Sequence, residues 1–102
     1  MSRLDQLQQM IQEDPHDVFL QYALGLELLN TSVEEALIQF EQVITLDETY
    51  VPAYYQLGQA LVQKNDKEKG LEYLRKGQQL ALQQKNKKAA GEFDEAIFLA
   101  ED

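Results

Sequence analysis

Two stretches of this chain repeat one another at a separation that suits a stack of helical hairpins. Leu24-Gly25 returns as Leu57-Gly58 after 33 residues, and Ala36, Phe40 and Val43 return as Gly70, Leu74 and Gly77 after 34. A period of that length is one helix-turn-helix unit, which cannot bury its apolar face alone and therefore stacks on a neighbour. The sharper copy runs from Val51 to Leu80. Tyr54, Leu57, Gly58 and Leu61 recur at helical spacing before a polar turn at Lys64 to Lys67, and Gly70, Leu71, Leu74 and Gly77 recur after it. Glycine inside a helix costs roughly 1 kcal/mol relative to alanine. Close approach of the two helices is the contact that would compensate for it.

The remaining segments read as helices of the same kind. Leu4, Leu7, Met10 and Ile11 make one apolar stripe on a Gln-rich opening helix, with Ser2 as its N-cap. Asp14-Pro15 stops that helix, and Asp14 is expected to cap the next, with Pro15 in its first turn and Asp17 set against the helix dipole. This second helix, about Pro15 to Leu29, is apolar around nearly its whole circumference, so it is either central or presents a binding surface. Asn30-Thr31-Ser32 breaks it, and Ser32-Val33-Glu34-Glu35 has the form of a capping box opening a third helix with stripe Ala36, Leu37, Phe40, Val43, Ile44 and Leu46. Thr49 is expected to cap a fourth helix, with Pro52 in its first turn. Near the end, Ala89, Ala90, Phe93, Ala96, Ile97 and Ala100 form a last stripe, and Gly91 makes that helix the weakest.

Charge narrows the function classes. Residues 1–50 hold one basic residue, Arg3, against ten acidic ones, whereas residues 51–102 hold eight of each, which gives the net charge of −9. No coherent basic stripe is present, so neither a nucleic acid nor an anionic membrane surface is expected as a partner. Cysteine is absent, which excludes disulfides and thiolate chemistry. No apolar run approaches 18 residues, and Met1 to Asp14 offers no apolar signal core, so a cytoplasmic location is expected. His16 is the one histidine and has only Asp14 and Asp17 beside it, too few donors for a metal site. Glu34/Glu35 and Asp94/Glu95 are sequence neighbours, which diverge on a helix and cannot flank a scissile bond. No catalytic residues, cofactor or metal are therefore expected.

The repeat resembles the tetratricopeptide repeat family. Tyr54, Leu57, Gly58, Leu61, Gly70, Leu74 and Gly77 match its aromatic, Leu, Gly, large, small, large, small pattern, and Leu24, Gly25, Leu28, Ala36, Phe40 and Val43 match in the earlier copy. Gln21 departs from it, standing where an aromatic residue is usual, and Glu48 stands where the closing proline is common. The resemblance implies an all-α fold of antiparallel hairpins stacked as a short right-handed solenoid of about five helices. One domain over residues 1–102 is expected, with a half-repeat helix at 2–14, repeats at 15–47 and 49–84, and a capping helix at 87–100.

The resemblance also implies recognition rather than catalysis. Proteins of this family line an inner groove with the first helix of each hairpin and bind peptides or helices of other proteins. Carried over to this chain, the groove positions are Phe19, Tyr22, Leu26, Leu29 and Asn30 in the first repeat and Tyr55, Gln56, Gln59, Val62 and Gln63 in the second. Tyr22 and Leu26 stand where the family's carboxylate clamp places Lys and Asn, so chaperone tails are not expected. An apolar, aromatic groove with amide rims suits an amphipathic helix instead. On this reading Tyr22→Ala and Tyr55→Ala are expected to reduce partner binding with little loss of stability. Two alternatives remain open: the opening helix covers Phe19, Leu26 and Leu29, or the final helix of one copy, anchored by Phe93 and Ile97, fills the groove of another and makes a homodimer.

Overall fold

Five of the six helices begin where a side chain accepts an orphan backbone N–H of the first turn. The computed structural model describes residues Met1–Asp102 as six helices: α1 (Arg3–Glu13), α2 (Val18–Leu28), α3 (Val33–Leu46), α4 (Val51–Gln63), α5 (Lys67–Gln83) and α6 (Lys87–Glu101). Ser2 and Asp5 cap α1 reciprocally, Asp17 caps α2, Ser32 caps α3, Asp66 caps α5 and Asn86 caps α6. α4 begins without a side-chain cap at Tyr50 and relies on Pro52 in its first turn.

Several boundaries differ from the expectation. The cap of α2 is Asp17, whose carboxylate accepts from the Leu20 N–H at 3.2 Å, while Asp14 closes α1 and Pro15-His16 form the turn between them. Gln21 Nε2 holds that turn by donating to the Pro15 carbonyl at 3.1 Å. The helix count is six rather than about five. Lys85 adopts a left-handed φ of 58° and the next residue, Asn86, caps a new helix, so the chain stops and restarts there. Asn65, with φ 68°, plays the corresponding part between α4 and α5.

The chain gathers into two compact units, Met1–Glu48 and Thr49–Asp102. In the first, α2 packs against both α1 and α3. Ala36, Phe40 and Val43 are fully buried on α3, and a Cβ on Gly25 would run into the Phe40 ring, so the glycine is what lets the ring come close to α2. In the second unit, α4 and α5 pack along their length and α6 covers α5. Gly58 and Gly70 face each other: a Cβ on Gly58 would stand 3.0 Å from the Gly70 carbonyl oxygen, and one on Gly70 would stand 2.8 Å from that of Gly58. Close backbone approach is thus the contact that offsets two helix-interior glycines. Gly77 opens a further space into which α6 inserts Phe93, 1% exposed, with Tyr55 meeting that ring edge-on at 5.4 Å.

Candidate protein-interaction site

In the first unit, Phe19, Tyr22 and Leu26 fall at i, i+3 and i+7 and therefore share one stripe of α2. Phe19 is 64% exposed and Leu26 37% exposed, so the alternative in which α1 covers them does not hold. α1 is tied to α2 elsewhere, through Arg3 Nε and the Glu27 carboxylate at 3.2 Å. Tyr22 is half-buried, its ring tilted against Phe40 at a centroid distance of 5.8 Å. Leu29 is half-buried at the C-cap, and Asn30 is exposed in the following turn. An aliphatic and an aromatic side chain thus stand in solvent on a helix otherwise rich in apolar contacts.

The second unit treats its five positions differently. Tyr55 lies against Phe93, and its hydroxyl accepts from Gln59 Nε2 at 3.3 Å. Val62 fills the space beside Gly70, where a Cβ would come within 2.7 Å of its Cγ2. Gln56 and Gln59 are half-buried and Gln63 is exposed at the end of α4. Tyr55 is thereby part of the packing between α4 and α6, a contact at odds with the expectation that its removal costs little stability. Tyr22 likewise has a packing contact in its own unit, with the Phe40 ring.

Other expectations resolve on burial. Phe93, the proposed anchor for reaching another copy, is buried in its own unit and cannot serve there; Ile97 is half-buried. Two features escaped the sequence reading. Gln39 is buried, and exposed Phe98 and Leu99 lie off the apolar stripe of α6. No group of three or more His, Asp or Glu side chains is gathered in a way that could hold a metal ion, and His16 is exposed. No helix is long and apolar enough to cross a membrane.

Capped amphipathic helices paired as hairpins, with glycines where facing helices touch, define a helical-repeat protein. Residues 51–84 match the model of the tetratricopeptide repeat. A tetratricopeptide repeat domain protein from Salinibacter ruber, solved by NMR, is 30% identical with a TM-score of 0.81, over 86% of this chain and 90% of that one. A crystal structure of a tetratricopeptide repeat domain protein from the same organism is 29% identical with a TM-score of 0.79, over 83% of this chain and 97% of that one. The TPR2B domain of yeast Sti1 in complex with pHsp70 shares the fold at 22% identity and a TM-score of 0.88, over 96% of this chain and 79% of that one. No curated protein matches the sequence. The chain belongs to the tetratricopeptide repeat family, whose members generally act as non-catalytic scaffolds for protein interactions.

Proposed function

We propose that this protein is a non-enzymatic adaptor that holds a peptide or amphipathic helix of a partner protein in an apolar, aromatic groove. The positions assigned to it in the first unit are Phe19, Tyr22, Leu26, Leu29 and Asn30; of those expected in the second unit, Tyr55 and Val62 are taken up by packing within that unit. The observation that carries the reading is the solvent-facing stripe of α2, where Phe19 and Leu26 remain exposed although burial would stabilise the chain. A helix laid on such a stripe would bury apolar side chains at i, i+3 and i+7 against it. The complex of the yeast neighbour with pHsp70 supports the assignment of a binding role to a domain of this fold. The clamp for carboxylate tails has Tyr22 and Leu26 in place of its cation and amide, so the ligand class favoured here is apolar.

Selection of helical peptides from a random displayed library against the full chain tests the proposal. Selected peptides should lose at least about tenfold in affinity for Phe19→Ser and Leu26→Ser variants, as hot-spot anchors do. Peptides that bind these variants and the parent chain equally would remove the groove from consideration.

A further inference from the structure

The acidity of this chain is confined to the unit that carries the exposed stripe of α2. Met1–Glu48 holds ten carboxylate side chains and a single cationic one, Arg3, whereas Thr49–Asp102 holds eight of each sign and balances. Arg3 is engaged by Glu27, which follows Leu26 on α2. No lysine or other arginine of the unit offsets its remaining carboxylates. Several of these stand at the two ends of the stripe. Asp14 and Asp17 lie in the turn that leads to Phe19, and Glu34 and Glu35 are in the first turn of α3, just beyond Asn30. Asp14, Glu34 and Glu35 are exposed.

At the rise of a helix, the stripe from Phe19 to Leu26 is about 10 Å long. At ordinary salt a charge is felt over a distance of about 8–10 Å. Carboxylates at either end therefore act along the whole of a ligand laid there, and they act with one sign. Lysine or arginine beside the ligand's apolar face would be attracted, and aspartate or glutamate repelled. We propose that the segment held on the α2 stripe is a cationic amphipathic helix, its apolar face on Phe19 and Leu26 and its basic flanks toward the carboxylates at the two ends. The proposal rests on the groove reading above and adds the sign of the ligand's charge. The same field disfavours an acidic tail, and it disfavours the first unit of a second copy, whose charge has the same sign.

Three synthetic helices of about 15 residues test this by fluorescence anisotropy against the full chain. They share one leucine face and carry lysine, glutamine or glutamate on the polar face. The lysine helix should bind at least about tenfold more tightly than the glutamine helix at low salt, with the glutamate helix weakest. The advantage of lysine should shrink as salt is added. Phe19→Ser should weaken the lysine helix about tenfold. Asp17→Asn combined with Glu35→Gln removes one charge from each end of the stripe and keeps an N-cap acceptor on α2. This variant should hold its thermal midpoint and lose at least about threefold of the preference for lysine over glutamine. Equal binding of all three helices, each lost on Phe19→Ser, would keep the groove and overturn its charge preference. A lysine helix indifferent to Phe19→Ser would show attraction without docking and overturn the proposal. Absence of binding by all three would remove the groove as well. A chain that associates with itself and dissociates on Phe19→Ser would put a second copy on the stripe instead.

Discussion

Gln39 Nε2 donates to Gln21 Oε1 at 2.6 Å and to the Gln21 carbonyl oxygen at 3.0 Å, joining α3 to α2 through an amide that is only 7% exposed. Gln21 is the residue that departs from the family pattern, and its partner shows what replaces the aromatic contact: the Gln39 amide donates to Gln21, and the Gln21 amide donates in turn to the Pro15 carbonyl. Removing Gln39 leaves two acceptors without this donor, whereas removing the Gln21 side chain leaves Gln39 still bonded to the backbone. Gln39→Leu should therefore destabilise the first unit by about 1–3 kcal/mol, and Gln21→Leu by less. The double substitution should cost less than the sum of the two, as read from a urea-unfolding double-mutant cycle.

Gly58 and Gly91 are both helix-interior glycines with opposite surroundings. A Cβ on Gly58 would meet Leu74 Cγ at 2.7 Å and a backbone oxygen of α5, and the backbone cannot rotate away as a side chain can. Gly58→Leu should cost about 1–3 kcal/mol by overpacking. Gly91→Ala meets nothing and should gain about 0.5–1 kcal/mol from helix propensity and lost unfolded-state freedom. Thermal unfolding of the dilute chain separates the two. Equal midpoints for the Gly58 variant and the parent would remove close approach as the reason for that glycine.

Lys85 occupies a left-handed conformation that glycine adopts without steric cost. The turn around it is held by the Asn86 N–H to the Ala81 carbonyl at 2.9 Å, so the conformation is imposed by how α5 ends. Lys85→Gly should stabilise the second unit by about 0.5–1 kcal/mol. Asn65→Gly should gain less, because asparagine tolerates this region better than lysine. Parallel denaturant titrations of the two variants check the order.

The stripes and glycines were legible because burial in a hairpin imposes helical spacing on every apolar residue it uses. Ala36, Phe40, Val43, Tyr54, Leu57 and Leu74 could be placed in that way. Caps were less so. Asp14 and Asp17 are both good acceptors ahead of an apolar helix, and Pro15 fits either a turn or a first helical turn; the choice of Asp17 rests on geometry formed only after folding. Gln39 could not be distinguished from the many solvated glutamines, since nothing in its spacing reports the Gln21 amide opposite. Tyr55 posed the same difficulty in reverse, because an aromatic side chain beside a core stripe serves equally as wall or as groove, and only the Phe93 ring decides.

Exposure and packing separate the residues proposed for recognition into two kinds with different mutational signatures. Phe19 and Leu26 contribute little to folding because they stay in water, so Phe19→Ser and Leu26→Ser should change unfolding free energy by less than about 0.5 kcal/mol. Tyr55 holds the edge of Phe93 and bonds Gln59, so Tyr55→Ala should cost about 1–3 kcal/mol and release α6 first. Hydrogen exchange resolved along the chain provides the check. Amides of Phe93 to Leu99 should lose protection in Tyr55→Ala and keep it in Phe19→Ser. Loss of protection in α2 on replacing Phe19 would show that the exposed stripe belongs to the folding core, and its role in recognition would fall with it.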